Sequence, residues 1–388
     1  MNRYFSARNL LFAIIIIAFL FRIWNIGNID FLGDEAADSF RAIGYIDYLG
    51  TNFQTQPIDW YKDRPLPFWT KLSFHDFPPL AMIIENLFFR IFGDSILAAK
   101  LPAIVLGTFA VYLIYLIVRK LFREENLALW AAFLFAVESS MVWVFQRSFL
   151  EPFVVFFLLL SVYCFLLFLE NRKKWWLFGA SLGLLALTKY TGIFIAPVYF
   201  LWLLAFKREL FKKWQLYASL LLAVFVFSPV IVYNFYLYKT TGHFDLQIAY
   251  FLGQETPEWT GLVGKTQAPF SDIGKNIFYL YSPLFLIVAF TGLLLGIGRI
   301  RKNKSVMPAE LFFILYLFFA ALLLAKIGSA HRFLSLLGPA LMVFAKDKFL
   351  SALLVSALSS VKIIIKVYGF VLLFLYFSIL EVIKSNMF

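Results

Sequence analysis

The sequence predicts an all-α polytopic membrane protein, and three observations carry that prediction. The 388 residues are 62% hydrophobic and only 15% charged, where soluble domains carry roughly a quarter charged residues. Apolar runs long enough for a bilayer, about 20 residues each, recur along the chain. The positive charge lies mostly in short clusters between those runs, the pattern of loops beside anionic lipid. The net charge of +12 therefore reads as membrane topology, and nucleic acid is not an expected partner. Cys164 stands alone, so neither a disulfide framework nor a cysteine metal site can be built.

A first span is expected over 9–26. Arg3 and Arg8 precede it and no small-residue cleavage site follows, so it reads as a retained span with a cytoplasmic N-terminus. The segment 27–97 then falls outside the cell. It holds ten acids against five bases, unlike the basic loops elsewhere. Asp34 to Leu49 has helical spacing, with Phe40, Ile43, Tyr45, Ile46 and Leu49 near one face, as in an amphipathic helix lying on a membrane. Pro57, Pro65 and Pro67 break the middle of the segment. An apolar helix of 13 to 15 residues from Leu80 to Phe92 contains Glu85 and Arg90. It is too short to span, and a non-spanning reading places every basic cluster on the cytoplasmic side.

Spans follow at 98–118, 127–145, 152–169, 175–187, 193–206 and 214–236. A second outer loop over 238–276 is rich in Gly, Thr, Gln and Pro. Further spans are expected at 277–297, 311–325 and 333–344, with one long or two short spans over 349–383. The total is about 11–12 transmembrane helices in a single membrane domain covering 1–388.

This topology gathers the remaining charges at one face. Asp34, Glu35, His75, Arg147, Glu151, Lys189 and Arg332 all fall at outer helix ends or in outer loops. A charge near the hydrocarbon costs about 2.5–3.5 kcal/mol on insertion scales, so a shared polar cavity is the expected reason for the gathering. Within it, Asp34 in the first turn of a helix suits a general base, because the helix dipole stabilises an anion there; it also suits a plain helix cap. Glu35 reads as its helper and Asp38, one turn on, as a solvated helix residue. Arg147 and Glu151, four apart, can share a helix face as an ordinary ion pair. Lys189, next to Tyr190, can snorkel to the interface or, with Arg147 and Arg332, bind phosphate. His75 could orient a phosphate or acceptor, or be structural. Two carboxylates with His75 or His243 could hold a divalent cation, although no ligand spacing argues for one.

The segments Asp34-Glu35, His75 with Pro78-Pro79-Leu80, Arg147 with Glu151, Leu187-Thr188-Lys189-Tyr190-Thr191-Gly192, and Arg332 with Pro339 resemble, in order and spacing, the C-type-fold membrane glycosyltransferases. The resemblance is to glycosyltransferase family 39, the dolichyl-phosphate-mannose protein mannosyltransferase superfamily, and to the related lipid A aminoarabinose transferase. It implies a polyprenyl-phosphate sugar donor, a protein, lipid or glycan acceptor, and an extracytoplasmic active site in the cell membrane. It also implies jackknife helices along the membrane in the first outer loop. Asp34 would match the catalytic acid and Glu151 the second acidic position, with Arg147, Lys189 and Arg332 holding the donor phosphate. Asp76-Phe77 separates His75 from the prolines, a departure from the family pattern. The competing class is a polytopic transporter or lipid flippase. Such proteins often show repeated halves and broken helices at the midplane, and neither is evident here.

Overall fold

The structure is a computed structural model that describes residues 6–47, 66–254, 270–302, 307–328 and 330–345. All described regular elements are helical. They are α1 (Ala7–Ile23), α2 (Gly33–Gly44), α3 (Leu80–Phe92), α4 (Ile96–Phe122), α5 (Glu125–Val137), α6 (Ser139–Phe145), α7 (Leu150–Glu170) and α8 (Trp175–Thr188). Then come α9 (Ile195–Phe206), α10 (Trp214–Thr241), α11 (Leu246–Leu252), α12 (Phe270–Leu280), α13 (Pro283–Lys302), α14 (Met307–Ile327), α15 (His331–Leu334) and α16 (Gly338–Ala345), with short 3-10 turns between several of them.

Among the described residues, six helices are long and apolar enough to cross a membrane, and a seventh span is possible if the bent pair α5–α6 counts as one. That is fewer than the 11–12 expected. Shorter apolar helices occupy the positions of the expected spans at 175–187, 193–206 and 333–344. The expected spans over 349–383 lie outside the described residues. Helix α3 has 13 residues, about 20 Å at 1.5 Å per residue, which is short of the roughly 30 Å hydrocarbon core. It packs instead against α2 and α4.

Local sequence explains where the helices begin and end. Ser95 caps α4 by accepting the Ala98 N–H at 3.2 Å, and Asp245 caps α11 by accepting from Gln247 and Ile248 at 3.1 and 3.0 Å. Helix α2 ends at Tyr45 in the left-handed region, φ 48°, five residues before the expected end. Two expected spans are broken. The run 127–145 bends by 60° at Glu138, and the run 277–297 is interrupted at Tyr281-Ser282. The breaks meet: the buried Glu138 carboxylate accepts the Ser282 N–H at 2.9 Å and its hydroxyl at 3.0 Å. A carboxylate in a continuous apolar run needs such donors, and the opened backbone supplies one of them.

Helix α7 is the most enclosed of the six long helices, packed by α4 and α8. Helices α8 and α10 approach closely along Gly179-x-x-x-Gly183. A Cβ at Gly179 would lie 2.4 Å from the Ser219 carbonyl oxygen, and one at Gly183 would lie 2.8 Å from that of Ala223. Small residues four apart let two membrane helices touch backbone to backbone, where dispersion drives association. Gly179→Ala is therefore expected to destabilise the chain by about 1–3 kcal/mol, whereas Gly298→Ala, with open space around its Cβ, leaves stability unchanged. Thermal unfolding in detergent distinguishes them.

The bundle has two chemically different ends. Helix α4 spans about 40 Å at 1.5 Å per residue. Its last turn carries Arg119 and Lys120, which pair with Glu125 and Glu170. Its first turns carry Lys100, which meets the chain just before α2. The expected basic clusters over 119–123 and 172–174 lie at the first end, and the candidate site lies at the other.

Candidate active site

The segment that delivers Asp34 is clamped by its carbonyls. The chain leaves α1 and turns at Asn25, in the left-handed region with φ 57°. Gln146 donates to the Phe21 and Trp24 carbonyls at 2.9 and 3.1 Å. Lys100, fully buried, donates to the Ile29 carbonyl, and Arg147 donates to that of Asp30 at 3.0 Å. Arg22, also fully buried, donates to the Phe135 and Ala136 carbonyls at 3.0 and 3.1 Å, satisfying groups that the end of α5 leaves open. Sequence reasoning missed Lys100 and Arg22. The available signal was their charge inside apolar helices, which is costly enough to demand a partner.

Three acid–base pairs then converge from distant parts of the chain. Glu35 is fully buried and ties the start of α2 to the segment before α7. It accepts the Leu32 N–H at 2.8 Å, the Ser148 N–H at 2.8 Å and the Arg147 guanidinium at 3.2 Å. Glu151, in the first turn of α7, accepts from the Lys189 ammonium at 2.6 Å. Asp34, in the first turn of α2, pairs with Arg332 of α15. Lys189 also faces the Phe77 and Phe333 rings, and Arg332 those of Phe149 and Phe333, contacts favourable to a cation.

These pairings correct two sequence expectations. Arg147 and Glu151 do not pair with each other, because α7 starts at Leu150 and Arg147 precedes it; each finds a partner across the bundle. Asp38 is not solvated but buried, 5% exposed. Helix α2 buries Glu35, Asp38, Ser39 and Arg41 against the bundle and leaves Asp34 and Phe40 exposed.

A second polar network adjoins the first. Arg41 holds Asp76 at 2.7 Å and Asp47 at 3.3 Å, and Asp47 accepts the His75 N–H at 2.7 Å. The His75 ring is 1% exposed and packs edge-on against His243, with centroids 5.7 Å apart. Asp245 accepts from Asn234 at 2.7 Å and from the Tyr190 hydroxyl. Tyr190 and His75, both expected to touch substrate, thus have structural partners: Tyr190 fastens the start of α11, and the His75 carbonyl accepts the Leu246 N–H at 3.0 Å. The sequence showed neither Arg41, Asp76 nor Asp245 as members of the site, since their partners are remote in the chain.

Burial pushes the Asp38 carboxyl up to about 8, with nearby Arg41 opposing that rise and Asp76 adding to it. Because the folded value lies above the ordinary 3.8, the neutral form favours folding. The stabilisation is complete below the unfolded value, falls as pH rises, and is lost once pH passes about 8. Asn mimics the neutral acid. The melting temperature of the natural chain is thus expected to fall relative to Asp38→Asn from pH 5 to pH 8, levelling above that; parallel pH profiles of unfolding check it.

No group of three or more His, Cys, Asp or Glu side chains is arranged to hold a metal ion among the described residues. The three acids nearest the candidate centre are each engaged by a cation, Asp34 by Arg332, Glu35 by Arg147 and Glu151 by Lys189. The described residues do not fit the divalent cation considered from the sequence, and no chemical step is assigned to one.

Comparison with known proteins agrees with this geometry at the level of fold. The profile of the family described as dolichyl-phosphate-mannose-protein mannosyltransferase matches residues 76–233, a stretch that contains Arg147, Glu151 and Lys189 but neither Asp34 nor Arg332. An uncharacterized protein of Aquifex aeolicus is 26% identical over 251 residues, covering 63% of this chain and 48% of that protein. Among solved structures, the archaeal oligosaccharyltransferase AglB from Archaeoglobus fulgidus, in complex with an inhibitory peptide and a dolichol-phosphate, superposes with a TM-score of 0.64 at 15% identity. The match covers 98% of this chain and 56% of that one. ArnT from Cupriavidus metallidurans, bound to undecaprenyl phosphate, gives a TM-score of 0.61 at 13% identity, over 88% of this chain and 60% of ArnT. The chain spans about half the length of the curated relative and less than two thirds of these solved chains. The fold is the C-type glycosyltransferase fold of an all-α polytopic membrane protein.

Proposed function

We propose that this chain is a membrane glycosyltransferase that moves a sugar from a polyprenyl-phosphate donor to a protein, lipid or glycan acceptor on the extracytoplasmic face of the cell membrane. The observation that carries the reading is the convergence of Asp34, Arg332, Glu151 and Lys189 at one end of a C-type fold. Positive-inside topology supports the sidedness, since basic clusters lie at the opposite end.

In this reading Arg332 binds the donor phosphate. Its side chain is 25% exposed, against 4% for Arg147 and 8% for Lys189, so it is the cation of the three that a ligand reaches. Lys189 with Glu151 stands behind it and shapes the local field. Asp34, with its side chain 56% exposed, accepts the proton of the acceptor hydroxyl or amine as the acceptor attacks the anomeric carbon. The bond from that carbon to the phosphate oxygen breaks with inversion, and Arg332 stabilises the charge left on the phosphate. Glu35 and Arg147 touch no substrate in this scheme; they fix the loop from which Asp34 projects.

The test is a reconstituted assay: the purified chain in proteoliposomes, a labelled polyprenyl-phosphate sugar, and a mixture of candidate acceptors. Label appearing on an acceptor supports the proposal. Label or lipid crossing the bilayer with no transfer would assign the chain to the transporter or flippase class instead.

A further inference from the structure

We propose that Asp34 and the donor phosphate are alternative occupants of Arg332, so that donor binding releases the catalytic base; this rests on the roles given to both residues under the proposed function.

The argument begins with what can move. The Arg332 guanidinium is held against two rings, 5.3 Å from the Phe149 centroid and 4.9 Å from that of Phe333. Of its other acidic neighbours, Glu151 is already bound by Lys189 at 2.6 Å, and Asp38 is buried in α2. The backbone of the first turn of α2 is equally fixed, because Glu35 anchors it to Leu32, Ser148 and Arg147. The freedom that remains belongs to the Asp34 side chain, 56% exposed, which can swing between staggered rotamers.

The chemistry follows from the occupancy. While Asp34 Oδ2 accepts from Arg332, that oxygen is not open to take a proton. A phosphate matches the guanidinium fork with two oxygens, and so competes for the same donors. A bound donor displaces Asp34, which turns to the acceptor with both oxygens available. Without a donor one carboxylate oxygen stays paired with the guanidinium, and an acceptor that arrives first meets a weaker base.

The same exchange serves product release. During transfer the acceptor loses its proton to Asp34, the new bond to the anomeric carbon forms, and the bond to the phosphate oxygen breaks with its electron pair on that oxygen. The neutral Asp34 cannot compete for Arg332, and the phosphate monoester, carrying about −1.5 to −2 charges, remains there. When Asp34 passes its proton to bulk water it becomes an anion again and competes once more with the carrier phosphate for Arg332, so that the phosphate leaves for the bilayer against a rival instead of an empty site.

The experiment measures undecaprenyl phosphate binding to the full chain in nanodiscs. Asp34→Asn keeps the side-chain shape and removes the competing charge. We expect it to bind the lipid phosphate about 2- to 5-fold more tightly, the range expected for loss of a partly exposed ion pair. Asp30→Asn removes an equal charge four residues away, on an exposed side chain, and is expected to leave binding unchanged. Arg332→Gln is expected to weaken it, and melting temperatures establish that each variant is folded. Unchanged or weaker binding in Asp34→Asn, or equal tightening in Asp30→Asn, overturns the exchange while leaving the assigned function standing. Undiminished binding in Arg332→Gln overturns the phosphate role of Arg332 itself, and the exchange with it.

Discussion

Asp34→Asn abolishes sugar transfer, with a loss of about 10²- to 10⁴-fold, the usual contribution of a positioned general base, and an unchanged melting temperature. The two halves of that result come from different features. Asn cannot accept and hold the acceptor's proton, so the chemical step fails. Stability is unaffected because Asp34 is largely exposed, and its partner Arg332 lies at the surface of the cluster. Such pairs contribute about 0–1 kcal/mol. An assay with labelled donor, run beside thermal unfolding, reads both. A fully active Asp34→Asn removes Asp34 from the base role.

Arg147→Met behaves in the opposite way: it unfolds before it can be said to lose a catalytic group. Arg147 is 4% exposed and its partner Glu35 is fully enclosed. Removing the guanidinium leaves a buried carboxylate without its cation, a change that costs about 3–5 kcal/mol. It also frees the Asp30 carbonyl, so the segment before Asp34 loses one of its clamps. The double variant Glu35→Gln with Arg147→Met is expected to recover part of the loss, because the stranded charge is gone while the Gln oxygen still accepts one of the two backbone N–H groups that Glu35 holds. A double-mutant cycle in detergent measures the coupling. Additive losses in that cycle would mean that the two residues do not act as a pair.

Much of the fold was legible because hydropathy in a membrane protein reports directly on span placement. The span expected at 152–169 is observed as Leu150–Glu170, and the one at 214–236 as Trp214–Thr241. The non-spanning reading of Leu80–Phe92 followed from its length, its Glu85 and Arg90, and the side on which it places the basic clusters. The breaks at Glu138 and at Tyr281-Ser282 were missed, although Glu138-Ser139-Ser140 and Ser282-Pro283 interrupt the apolar runs there; the partner that makes each break tolerable is supplied by the other. The depth of α7 in the bundle was hidden for a related reason, since lipid and protein interior are equally apolar and hydropathy does not separate them.

The site was legible as a set of residues and not as a set of pairs. Sequence topology brought Asp34, Glu35, Arg147, Glu151, Lys189 and Arg332 to one layer, and the structure brings them together. Which acid meets which base depends on packing between segments 38 to 298 residues apart, so the i, i+4 spacing of Arg147 and Glu151, which allowed an ion pair between them, did not reveal their partners. The buried polar face of α2 was hidden by an assumption carried over from soluble helices, that charge points to solvent. Asp38 was misread for that reason.

The central claim is that Arg332 receives the donor phosphate beside Asp34. The most direct measurement is a structure of the full chain in a lipid nanodisc with undecaprenyl phosphate bound. A phosphate oxygen within hydrogen-bonding distance of the Arg332 guanidinium, with the Asp34 carboxylate turned away from it, is the predicted result. A phosphate bound elsewhere, with the Asp34–Arg332 pair intact, would contradict it.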